Sequence, residues 1–67
     1  MTIFNVLVRF SWGDTNLRSF EKVEDAIDSA NKMVNAQIFT EDGIDDTVFD
    51  SETGDIREVQ ILSSRLY

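Results

Sequence analysis

Ile3-Phe4-Asn5-Val6-Leu7-Val8-Arg9-Phe10-Ser11-Trp12 alternates between two faces, and its period decides how the rest of the chain is read. Phe4, Val6, Val8, Phe10 and Trp12 share one side, while Ile3, Asn5, Leu7, Arg9 and Ser11 share the other. A period of two carried by β-branched and aromatic residues predicts a strand with its more apolar face on a core. By the same alternation, Phe10 and Trp12 are expected in that core rather than at an interface. Ile3 and Leu7 make the second face partly apolar, which suits a central strand or one that meets a partner.

Gly13-Asp14-Thr15-Asn16 is turn chemistry, and a short second strand over residues 16–20 is expected to pair back through Leu17 and Phe20. Beyond it, Val23, Ala26, Ile27, Ala30, Met33 and Val34 recur at steps of three and four, which predicts a helix over residues 23–35 with Met33 in its core stripe. Glu21, Glu24 and Asp25 suit the positive end of the helix dipole and Lys32 the negative end. Asp28 and Lys32 form a favourable i, i+4 pair, whereas Glu21–Asp25 and Glu24–Asp28 repel at the same spacing. Lys22 falls at the N-cap and is a poor cap, so the helix must rely on burial of its stripe; Asn35 is placed to stop it.

Residues 36–46 read two ways. Gln37-Ile38-Phe39 either extends the helix or begins a loop that tucks Ile38 and Phe39 under the sheet, and Thr40–Asp46 reads as a polar loop around Gly43. Residues 47–50 and 55–62 then predict a β-hairpin across the Gly54 loop. On its last strand, Val59 and Ile61 share a face with Arg57, while Ile56 and Leu62 share the other with Glu58 and Gln60. Ser63–Tyr67 reads as a frayed tail. The order strand, strand, helix, strand, strand predicts an α+β fold: one domain, residues 1–67, with an antiparallel sheet and one helix across one face.

Charge is concentrated in one segment. Glu41, Asp42, Asp45, Asp46, Asp50, Glu52, Asp55 and Glu58 lie within eighteen residues, offset only by Arg57, so the segment carries the −7 of the whole chain. This field repels polyanions, which argues against direct binding to nucleic acid or to anionic lipid. It attracts basic surfaces, and these eight carboxylates are the candidate partner-binding residues. A hairpin can hold carboxylates in rows, with same-face residues roughly 6.6 Å apart and paired strands about 4.8 Å apart. Such a surface would imitate a nucleic-acid backbone and occupy the Lys/Arg groove of a nucleic-acid-binding protein. Small inhibitors such as anti-restriction and anti-CRISPR proteins, found among phage and mobile-element products, have this size and charge; the likeness is physical and rests on no motif.

Other chemistries fit less well. The carboxylates around Asp50, Glu52 and Asp55 lack the EF-hand spacing, since Gly54 falls at position 5 and Ile61 at position 12. No metal or cofactor is therefore expected. The chain has no His and no Cys, so Ser and Thr lack an ordinary activating base and no disulfide or thiolate site can form. Carboxylates in an exposed polar segment do not acquire the raised pKa that acid–base catalysis needs, and no enzyme is expected. The apolar start lacks the basic residues and cleavage site of a signal peptide and is too short to span a membrane, so the expectation is a soluble cytoplasmic protein. The alternative reading is a homodimeric or partner-stabilised structural module, with the first strand pairing at an edge across a two-fold axis and the acids conferring only solubility.

Overall fold

The computed structural model describes residues 1–65. It contains β1 (Thr2–Phe10), β2 (Thr15–Phe20), α1 (Val23–Val34), a 3₁₀ turn at Glu41–Gly43, β3 (Val48–Asp50) and β4 (Ile56–Arg65). The four strands form one antiparallel sheet in the order β2-β1-β4-β3, with α1 crossing one face. This is the expected α+β architecture.

β1 is central, because its alternation gives it something to bury on one face and two neighbours to bond along its sides. Val6 and Val8 meet Val59 and Ile61 of β4 in register, and these four are closed over by Ala26 and Ala30 of α1 and by Phe39. The two alanines let the helix approach the sheet closely. Phe4, Phe10, Phe20, Ile27, Val34, Ile44, Phe49 and Ile56 pack around this centre. Full burial of each valine- or isoleucine-sized side chain is worth about 1.5–3 kcal/mol.

α1 starts at Lys22 with no side-chain cap and ends at Asn35, whose left-handed backbone (φ 55°) closes it. Asparagine tolerates that conformation better than most residues. Lys32 and Asp28 pair at 3.0 Å on the exposed side. Met33, expected in the core, is instead partly exposed on the last turn over Val6, Val8 and Asn16. Among the described residues, the buried polar one is Asn31. Its amide oxygen accepts from the Ile38 and Phe39 N–H groups at 3.1 and 2.9 Å, and its amide nitrogen donates to the Phe39 carbonyl at 3.2 Å. These bonds hold residues 37–39 as a loop rather than an extension of α1, and the 3₁₀ turn at Glu41–Gly43 follows it. Phe39 enters the core while Ile38 remains exposed.

β2 runs over Thr15–Phe20, in keeping with the expected strand, and the β1–β2 reversal takes place at Ser11–Gly13. Two further expectations are corrected. Ser63, Ser64 and Arg65 continue β4 and pair with Phe4, Ile3 and Thr2, so this part of the expected tail is ordered strand; Tyr67 lies outside the described residues. Ile56 joins the core instead of sharing a face with Glu58. Arg9 pairs with Glu58 but Phe10 pairs with Ile56, so Arg57 is an extra residue in β4, a bulge that turns Ile56 inward.

Candidate functional site

The acidic segment covers the β3 side of the sheet and the ends of the β3–β4 hairpin, and it divides into parts with different surroundings. Glu41 and Asp42 form the exposed 3₁₀ turn. Asp45 follows with a left-handed backbone (φ 70°), which aims its carboxylate at β4. There it accepts from the Ser63 N–H at 2.7 Å and the Ser63 hydroxyl at 2.6 Å. These two bonds hold the Asp45 carboxyl below the ordinary aspartate value. Asp45 is thus a fastening between the loop and β4, and its oxygens are already engaged.

Asp46 is exposed beside it. Asp50 and Glu58 are direct partners across β3 and β4, on the face of the sheet away from α1. Arg9 flanks Glu58 on its other side, in a row that reads Thr15, Arg9, Glu58, Asp50 across the four strands. Glu52 and Asp55 are exposed in the hairpin loop, where Gly54 takes a positive φ of 88°. Arg57 donates to the Glu52 main-chain carbonyl, so its guanidinium lies against the loop. Among the described residues, no salt bridge joins any carboxylate of the segment to a cation; the Asp28–Lys32 pair lies on the helix.

The carboxylates therefore do not form a single row. Only Asp50 and Glu58 are ladder partners, and the rest are distributed from the 3₁₀ turn to the hairpin loop. The stretch of β4 from Ser63 back to Glu58 spans roughly 17 Å at ~3.4 Å per residue. Among the described residues, no three carboxylates converge on a point where they could hold a metal ion.

The same open face carries an apolar row. Leu17, Leu7, Gln60 and Val48 are successive partners across all four strands, and Leu17 and Val48 are 58% and 48% exposed. Ile3 and Leu62 extend this apolar character toward the other end, around a network in which Ser19 donates to Asn5, and Asn5 donates to the Leu62 carbonyl and the Ser64 hydroxyl. The second apolar face of β1 is thus a property of a central strand. Its edges are bonded to β2 and β4, so β1 is not available for edge pairing, and the sheet edges are β2 and β3.

Trp12, expected in the core from the alternation of β1, is 59% exposed. β1 ends at Phe10, whose carbonyl accepts from the Gly13 N–H and whose N–H donates to the Asp14 carbonyl, leaving Ser11-Trp12-Gly13 as the loop. Gly13 has φ 95°, the left-handed position that closes three-residue hairpin loops. In that loop the indole stacks on Phe10, with ring centroids 4.8 Å apart and planes 12° apart, and its Nε1–H donates to Asp14 Oδ2 at 2.9 Å. The signal for this was available: Gly13-Asp14 immediately after Trp12 requires the strand to end before it.

Among the described residues, no helix is long and apolar enough to cross a membrane. No family model, no curated protein and no solved structure matches the chain.

Proposed function

We propose that this chain is a non-catalytic protein-interaction module, cytoplasmic, that binds the basic surface of a nucleic-acid-binding protein and inhibits or regulates it by occupying that surface. The observation that carries the reading is the unneutralised acidic segment: Glu41, Asp42, Asp46, Asp50, Glu52, Asp55 and Glu58 are exposed or half-exposed, and among the described residues none is paired with a cation of the chain. A concentrated field of one sign speeds encounter with a surface of the other sign and repels nucleic acid itself. The fit is to a broad Lys/Arg surface rather than to a groove read phosphate by phosphate, because the carboxylates are spread over turn, edge and loop. Inhibitors of this physical type occur among small phage and mobile-element products, anti-restriction and anti-CRISPR proteins included, and the chain is proposed to work in the same manner by analogy of size and charge.

The test is affinity capture from a lysate of the source organism at low and high salt, beside a variant in which Asp46, Asp50, Glu52, Asp55 and Glu58 become Asn or Gln. Asp45 is left intact because it fastens the loop to Ser63. The reading expects salt-sensitive recovery of a basic nucleic-acid-binding protein by the wild type and its loss in the variant. Equal recovery by both would reduce the acids to a solubility device.

A second reading, self-association, is favoured by the apolar row Leu17, Leu7 and Val48 on the open sheet face. It expects a mass that rises with concentration in sedimentation, and a rise abolished by Leu17→Lys. A constant monomer mass would exclude it.

A further inference from the structure

Trp12, the chain's single tryptophan, is spent on a loop where it contributes little to the core. A large aromatic held rigidly in solvent costs apolar exposure and is a common anchor at interfaces. Its rigidity here has two sources. Phe10 covers one ring face in a near-parallel stack, and Asp14 takes the indole N–H. The indole is therefore pre-organised, which lowers the entropy lost when a partner docks on it. Donation of its N–H to a carboxylate also enriches the electron density of the ring.

The neighbours of the loop define what would dock. The Ser11 N–H donates to the Asp55 carbonyl at 2.8 Å, so the Trp12 loop is bonded to the β3–β4 loop. That joins Trp12 and Asp14 to Asp55 and Glu52 at one end of the sheet, all of them exposed. A shallow depression lined by Phe10, Trp12, Asp14, Thr15 and Asn16 opens there, past the point where Met33 of α1 lies over Val8 and Asn16. An aromatic platform with the Asp14 carboxylate beside it and Asp55 on the adjoining loop complements a cation on an aliphatic stem: the ring attracts the charge and packs the methylenes, and the acids supply the opposite charge.

We propose that the Phe10–Trp12 stack is the anchor point for an arginine or lysine side chain of a basic protein partner. This rests on the reading of the chain as a binder of basic surfaces, and it assigns the aromatic contact that the acidic segment by itself lacks. Arginine is the better match, since its planar guanidinium stacks on an indole and its fork can also reach a carboxylate.

The probe is a fluorescein-labelled arginine–glycine peptide, titrated against the wild type by anisotropy and, unlabelled, by the emission of Trp12. An equally long glutamate–glycine peptide is the control. The expected results are saturable anisotropy, a saturable change in Trp12 emission with the arginine peptide alone, and about 2- to 5-fold weaker binding for Trp12→Ala, the size of a cation–π contact at an exposed site. Trp12→Leu keeps apolar bulk without a ring face and should be weakened nearly as much. Because the side chain lies outside the core, both variants should retain the wild-type circular dichroism spectrum. Equal peptide affinity for wild type and Trp12→Ala, with binding lost in the five-carboxylate variant, would overturn the anchor and leave the charge reading standing. No binding of the peptide by the wild type would also overturn the anchor, while lysate capture decides the charge reading independently. Full affinity in Trp12→Leu would overturn the cation–π assignment.

Discussion

Asn31 and Phe39, eight residues apart, are joined as two strand residues would be: the Asn31 amide oxygen accepts from the Phe39 N–H at 2.9 Å, and its amide nitrogen donates to the Phe39 carbonyl at 3.2 Å. The same oxygen accepts from the Ile38 N–H, and the same nitrogen reaches Gln37 Oε1 at 3.3 Å. One buried side chain thus satisfies the backbone of the segment that delivers Phe39 to the core. A main chain entering the interior needs such partners, because each unpaired buried group costs about 1–3 kcal/mol.

Asn31→Leu, similar in volume and unable to bond, should therefore lose about 2–4 kcal/mol, since both Phe39 groups are stranded. A chain of this length has roughly 3–10 kcal/mol in total, so the variant should be near its unfolding threshold. The midpoint of urea denaturation measures this. A loss below about 0.5 kcal/mol would mean that the segment finds other partners or water.

Asp45 should make stability depend on pH in a defined window. Its folded carboxyl titrates below its ordinary value because the Ser63 hydroxyl and amide hydrogen-bond the charged form. A depressed folded pKa gives a contribution that is complete above the unfolded value and is lost as pH falls through the folded one. The melting-temperature gap between wild type and Asp45→Asn should therefore be constant above about pH 5 and close as pH drops below 3.8. A gap that persists unchanged to strong acid would show that the charge of Asp45 is not what Ser63 holds.

Salt should stabilise the fold. The acidic segment holds eight carboxylates and one arginine, Asp50 faces Glu58 directly, and like charges at that position repel. Screening acts chiefly on the repulsion between carboxylates farther apart than about 10 Å at 0.1 M ionic strength, and reaches the closer Asp50–Glu58 pair as the salt concentration rises and the screening length shortens. Thermal melts in rising NaCl should shift upward, and about 1 kcal/mol of relief corresponds to roughly 4–8 °C for a domain of this size. A flat or falling response would imply that the acids are neutralised within the folded chain.

What could be read from the residues was whatever a local period or a local cap encodes. The alternation of Phe4, Val6, Val8 and Phe10 specified β1 and its core face, and the stripe from Val23 to Val34 with Asn35 behind it specified α1 and its end. What escaped depends on contacts distant in sequence. Asn31 lies on the helix between Ala30 and Lys32, with Ile27 and Val34 a turn away on the apolar stripe, and its role depends on Ile38 and Phe39 coming back to it from beyond the helix end. Ser63–Arg65 carries no apolar alternation, and its strand comes from ladder bonds to Thr2–Phe4 at the other end of the chain. The bulge at Arg57, which reverses the facing of Ile56, has no composition of its own. In the candidate surface, the acidic residues were legible as charge but not as roles: Asp45 is a fastening, Asp50 and Glu58 are ladder partners, and Trp12, the exposed aromatic beside them, reads as core if the strand is run two residues too far.

The most direct test of the central claim is displacement of a labelled oligonucleotide from the captured basic protein, measured at several salt concentrations with the wild type and with the Asp46, Asp50, Glu52, Asp55 and Glu58 variant. Competitive release by the wild type, weakening steeply as NaCl rises and absent in the variant, is the predicted result. An oligonucleotide that stays bound while the chain also binds, or equal displacement by wild type and variant, would contradict it.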